Sequence, residues 1–142
     1  VETLELYLIC RGHGKSNGDL TIQGEREMAR VAEVLSACKI SKDNTQILTS
    51  PTNEEVQSAK IISVKCLLDS PQVVEWLGKP NIMGYLIMYG LPKTPNIEKI
   101  IVVTEKLTLE KILPNFAYSA FNVISGNLFK IILPDNKVEK LI

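Results

Sequence analysis

Few side chains in this 142-residue sequence could do chemistry: one histidine, His13, three arginines, Arg11, Arg26 and Arg30, and three cysteines, Cys10, Cys38 and Cys66. Three of them crowd into one segment, Cys10-Arg11-Gly12-His13-Gly14, directly after a run of apolar residues. An imidazole there could act as a nucleophile or a general base, and an arginine beside it could hold an anion. The structural alternative for His13 is plain solvent exposure in a glycine-rich loop, and for Cys10 a small buried apolar residue at a strand end. Glu54 and Glu105 stand where helices are predicted to start. A carboxylate in the first turn complements the positive end of the helix dipole, or it could pair with Arg11.

Two phosphate-handling motifs are ruled out by single residues. Gly14-Lys15-Ser16 would close a P-loop only with glycine at position 9, which is Ile9. Cys10 would be a tyrosine-phosphatase nucleophile only with arginine at position 16, which is Ser16. No Cys-x-x-Cys or histidine-rich spacing suggests a metal site, and nothing calls for a cofactor.

Sixteen basic residues balance sixteen acidic ones, without a basic run, which excludes binding of nucleic acid through a clustered positive surface. No apolar stretch approaches the roughly eighteen residues of a membrane span, and Val1-Glu2-Thr3-Leu4-Glu5 does not read as a signal peptide. Three widely spaced cysteines fit a reducing cytoplasm better than a disulfide framework. A hydrophobic content of 45% and a charged content of 23% suit a globular chain, and the length suits one domain over residues 1–142.

The elements that must position these groups follow from periodicity. Leu4, Leu6 and Leu8 alternate with Glu5 and Tyr7 and lead into Ile9, a first strand. Thr21 caps a helix through about Ala37, with Met28, Val31, Ala32 and Leu35 as its apolar stripe. Gln46–Thr49 is a short strand ended by Ser50-Pro51, and Thr52-Asn53-Glu54-Glu55 reads as a capping box opening a second helix. A third strand is expected at Lys65–Leu68, then a helix over Val73–Leu77 with Pro71 at its start. Asn81–Tyr89 is expected to be helical up to Gly90, followed by a loop marked by Pro92, Pro95 and Asn96. Lys99–Thr104 is the clearest buried strand, a helix over about Lys106–Leu113 stops at Pro114, and Leu128–Leu133 with Lys137–Ile142 form a hairpin. Strands alternating with helices predict a three-layer α/β/α sandwich with a mainly parallel, mixed central sheet.

Five blocks in order over nearly the whole chain resemble the short phosphohistidine phosphatase branch of the histidine phosphatase, or phosphoglycerate-mutase-like, superfamily. They are Leu6–Ile9, Asp19-Leu20-Thr21-Ile22-Gln23-Gly24, Ile47–Pro51 with Gln57-Ser58-Ala59, Ile101–Thr104, and Leu133–Lys137. The resemblance implies a two-step phosphoryl transfer: a histidine after strand one attacks phosphorus while two arginines and a second histidine cradle the oxygens. Aligned without a gap, the family's Arg-His-Gly falls on Cys10, Arg11 and Gly12, so Arg11 takes the nucleophile position. With a one-residue insertion, Arg11 and His13 match instead. The ungapped alignment is preferred, because an insertion would move the imidazole off the strand tip. The second arginine falls on Glu54 and the second histidine on Glu105.

One histidine cannot fill two positions, and Arg26 and Arg30 lie within helix one, so the implied mechanism is incomplete on either alignment. At about 5 Å and an effective dielectric of ~20, a dianion facing two carboxylates meets ~13 kcal/mol of repulsion, of which one arginine offsets about half. The expectation is a histidine-phosphatase-like fold without phosphatase activity, acting as a binding or regulatory module for a small molecule or a protein. Arg11 should pair with at least one of Glu54 and Glu105, in a cleft otherwise poor in positive charge. The alternative is an enzyme with a rebuilt site: a phosphatase using His13, or a cation-dependent activity using Glu54 and Glu105.

Overall fold

The computed structural model describes residues 3–78, 96–119, 122–133 and 135–142. Strand β1 (Leu4–Cys10) leads to helix α1 (Ile22–Ser36), β2 (Thr45–Thr49), α2 (Asn53–Lys65), β3 (Gln72–Val73) and a 3-10 turn over Glu75–Gly78. Beyond them come β4 (Lys99–Thr104), α3 (Lys106–Ile112), a 3-10 turn over Leu113–Phe116, β5 (Leu128–Leu133) and β6 (Lys137–Lys140). The strands form one mixed sheet of order β3-β2-β4-β1-β5-β6. Its core is parallel, with Leu8 of β1 beside Val102 of β4 and Leu48 of β2 beside the same Val102. β5 pairs antiparallel with β1 and with β6.

Strand periodicity builds both layers. Successive side chains of a strand point to opposite faces, so Tyr7, Ile9, Ile47, Ile101 and Val103 pack against Met28, Val31 and Leu35 of α1 and Ala59 and Ile62 of α2. Their neighbours Leu6, Leu8, Leu48, Ile100 and Val102 join Leu109, Ile112, Phe129 and Ile131 on the other face. The long side chains among these are almost wholly buried, and each contributes roughly 1.5–3 kcal/mol by leaving water. The charged residues that this pattern also buries are paired at the amino end of the sheet. Glu5 sits 3.5 Å from the buried Lys99 and 3.3 Å from Lys130, and accepts a hydrogen bond from Tyr7 at 2.5 Å.

Several local expectations are corrected. Lys65 closes α2 and Cys66 caps it, so no strand covers Lys65–Leu68, and the third strand is instead the two-residue Gln72–Val73. A strand there pre-empts the helix expected over Val73–Leu77, of which only a 3-10 turn from Glu75 remains. Pro114 does not stop the chain's winding but sits inside a 3-10 turn that continues from α3. Neither half of the capping box forms among the described residues: Thr52 is the N-cap of α2 without a side-chain cap bond, and the Glu55 carboxylate is buried on the Arg11 side instead of reaching back to the Thr52 amide. The helix expected over Asn81–Tyr89 lies outside the described residues.

Candidate functional site at the carboxyl end of the sheet

β1, β4 and β2 end side by side, with Cys10 opposite Thr104 and Thr49 opposite Val103. The chain leaves this edge under tight backbone control. The Arg11 amide donates to Thr104 O at 2.9 Å, the Ser50 amide to Val103 O at 3.1 Å, and the Ser50 and Thr104 hydroxyls share a buried bond of 2.8 Å. Open α/β sheets place their sites at such an edge.

The segment that carries Arg11 and His13 is clamped from two sides. α2 holds it through neutral groups: Ser58 Oγ accepts from the Gly12 amide at 3.0 Å, Gln57 Oε1 from the Leu20 amide at 2.8 Å, and Asn53 donates to Gly18 O at 2.9 Å. α1 holds it by direct backbone approach. A Cβ on Gly24 would lie 2.2 Å from His13 O, and one on Gly12 would lie 2.6 Å from Gly24 O. Neither position admits a side chain without moving backbone, so no histidine could stand at Gly12.

A cleft of about 470 Å³ opens here, lined by Arg11, His13, Lys106 and Ser125 over Cys10 and Val123. Cys10 is buried, and burial is the main reason its thiol is pushed up to about 12, with Arg11 drawing it down and Glu27 and Glu55 opposing. It is a packed thiol and not a thiolate nucleophile. His13 is exposed; its amide donates to Glu27 Oε1 at 2.9 Å and its Nδ1 lies 3.0 Å from Thr21 Oγ1. Thr21 Oγ1 accepts from the Gly24 amide as the N-cap of α1 and also lies 3.2 Å from His13 O, so this one hydroxyl holds both the backbone and the ring of His13. The ring is anchored through Nδ1, and Nε2 has no hydrogen bond among the described residues.

Arg11 directly follows β1 and His13 comes two residues later; both line the same cleft. Arg11 Nη2 is 3.7 Å from Glu54 Oε2, and Arg11 Nε is 3.9 Å from Glu55 Oε1. Both are ion pairs longer than a charge-assisted hydrogen bond, and among the described residues the guanidinium's one hydrogen bond goes from Nη1 to Gly12 O at 3.1 Å. Glu105 is the exposed N-cap of α3 and makes no ion pair with Arg11 among the described residues. Two partners escaped the sequence reading. Glu55, taken as part of a helix cap, is the buried second acid, and no local sequence signal marks it as such. Lys106, next to Glu105, brings to the cleft a positive charge that was not expected. Among the described residues no group of three potential metal ligands gathers.

No protein-family model matches the sequence, and no curated protein does. Solved structures do. The protein histidine phosphatase SixA in complex with tungstate superposes with a TM-score of 0.73 at 12% identity, over 98% of this chain and 95% of that one. The phosphoglycerate mutase of Plasmodium falciparum gives 0.72 at 17% identity, over 100% and 91%. A mycobacterial glucosyl-3-phosphoglycerate phosphatase gives 0.60 at 9%, over 92% and 90%. At such identities the likeness is one of architecture alone: the chain has the phosphoglycerate-mutase-like fold that these structures share.

Proposed function

We propose that this chain is a histidine-phosphatase-fold protein that does not turn over phosphoryl groups and works as a binding or regulatory module. The observation that carries the reading is the pairing of Arg11, at the strand tip, with Glu54 and Glu55. The sequence offers no second histidine, and Arg26 and Arg30 sit exposed on α1, so Arg11 and His13 gain no second arginine or histidine beside them. Its partner is a small molecule or a protein, and three free thiols suit a reducing cytoplasm. The test is hydrolysis of p-nitrophenyl phosphate and of a phosphohistidine peptide, each with and without a chelator. Rates at background, unchanged by His13→Ala, support the reading.

One observation favours a second reading, an enzyme with a rebuilt site: His13 lines the cleft with Lys106 and Ser125 and is anchored through Nδ1, with no hydrogen bond on Nε2 among the described residues. An imidazole held at one nitrogen can offer the other as a nucleophile. Metal-independent turnover lost on His13→Ala would establish this reading and remove the first.

A further inference from the structure

Glu55 is the least explained charge-bearing group of the described structure. The residue is 1% exposed, its Oε1 reaches Arg11 only at 3.9 Å, and its Oε2 is buried without a hydrogen-bond partner. A buried carboxylate with an orphan oxygen is costly when ionised and far less so when it carries a proton. Arg11 is the complementary case. It is a guanidinium with five N–H donors, 30% exposed beside the cleft, which among the described residues makes one hydrogen bond and two loose ion pairs.

We infer that Glu55 is a proton store that controls whether Arg11 can take an oxyanion in the cleft, so that anion binding and proton uptake occur together. The inference rests on the reading of the cleft as a binding site that does not turn over phosphoryl groups. With Glu55 ionised, Arg11 lies between two carboxylates and its charge is spent. With Glu55 protonated, Glu54 alone opposes, and the unused N–H donors of Arg11 turn to an acceptor beside Lys106 and Ser125. No bond to phosphorus is made or broken; one proton moves from solvent to a Glu55 oxygen.

The groups that face Glu55 set the sign. Burial is the largest influence and pushes its carboxyl above the usual range; its own backbone amide and then Arg11 from the strand tip favour the charged form, while Glu105 at the start of α3 and Glu54 on the same helix disfavour it. The Cys10 thiol, itself pushed up by burial, stays neutral near it. An anion on Arg11 cancels the one favourable charge and leaves the backbone amide unchanged, so the bound state holds the proton more tightly than the free state. Binding therefore strengthens as pH falls between the two proton affinities. Its steepest slope is that of one coupled proton, about tenfold per pH unit.

The experiment uses sulfate, whose own charge is constant, and calorimetric titration of the full chain from about pH 5 to about pH 8, the range in which a histidine also titrates. Expected are uptake of up to one proton, read from two buffers of different ionisation heat, and affinity that rises on acidification. Glu55→Gln should bind at the acid-limit affinity throughout with the slope gone, whereas Glu54→Gln should bind more tightly with the slope kept. If Glu55→Gln does not fold, proton uptake by the unmodified chain and by His13→Gln decides the matter. Sulfate binding without proton uptake overturns the inference, as does a slope that persists in Glu55→Gln or vanishes in His13→Gln. None of these outcomes depends on the hydrolysis assay. Turnover would refute the module reading, and a missing slope would refute the proton store alone.

Discussion

Replacing Gly24 by alanine is expected to destabilise the protein although alanine is the better helix former. Gly24 lies in the first turn of α1, and Gly→Ala in a helix gains about 1 kcal/mol from propensity. Against that gain, the new methyl would lie 2.2 Å from His13 O and 2.8 Å from His13 N, both backbone atoms that no rotamer change can move. Relief requires α1 and the His13 segment to separate. Overpacking of this kind costs about 1–3 kcal/mol. Separation also strains the two bonds His13 O accepts, from the Thr21 amide at 2.9 Å and the Thr21 hydroxyl at 3.2 Å. Each is worth about 1 kcal/mol. The net loss is therefore about 2–4 kcal/mol. At roughly 3 °C per kcal/mol for a chain of this size, the midpoint should fall by about 6–12 °C. Urea denaturation should show a lower midpoint at unchanged slope. A Gly24→Ala protein within about 0.5 kcal/mol of the parent would refute the close approach and, with it, the fixed position of His13.

Ser58→Ala should cost about 1–3 kcal/mol in urea denaturation, since it leaves the buried Gly12 amide without its 3.0 Å acceptor; no change would mean that α2 does not hold the segment. Glu5 provides a pH test. Burial pushes its carboxyl up, but the Tyr7 hydroxyl, Lys130 and Lys99 outweigh this and hold it below the usual carboxylate range. A depressed group contributes stability that is present above its unfolded pKa and lost as pH falls through the folded one. Glu5→Gln should thus be less stable than the parent at neutral pH, with the gap closing in acid, and a gap that widens on acidification would contradict the pairing.

How much of this was legible in the sequence varied with the distance over which the deciding interaction acts. Period-two alternation in β1 and the unbroken apolar run of β4 placed these strands, because each strand's own pleat decides which layer its side chains enter. Arg11 was expected to pair with at least one of Glu54 and Glu105, and it lies 3.7 Å from Glu54, with no ion pair to Glu105 among the described residues. Lys65–Leu68 misled because α2 runs on through Lys65, a tertiary outcome that four residues do not encode. Glu55 was mistaken for a cap because Thr52-x-x-Glu55 has the spacing of a capping box. The competing attraction, Arg11 lying 44 positions earlier (55 − 11), is invisible to any local pattern. Lys106 was passed over because an exposed first-turn lysine has no local feature that marks it as lining a cleft.

One helix, α2, both builds the site and sets its charge, and it does so with different residues. Asn53, Gln57 and Ser58 are neutral side chains that hold the Gly12–Leu20 segment through its backbone and, from Asn53 and Gln57, through the Asp19 carboxylate at 2.8 Å. Glu54 and Glu55 act on Arg11 through ion pairs of 3.7 and 3.9 Å that support no backbone group. Ion pairs this loose contribute little to folding, the partly exposed one about 0–1 kcal/mol. The buried one carries a desolvation cost of its own. The two functions are therefore separable in energy. Charge at positions 54 and 55 can change what the cleft attracts while the fold keeps its stability, whereas loss of the neutral clamp unseats Arg11 and His13 whatever charge surrounds them. That division is how a phosphoglycerate-mutase-like scaffold can carry two glutamates against its strand-tip arginine and still superpose over its whole length on solved structures of the fold.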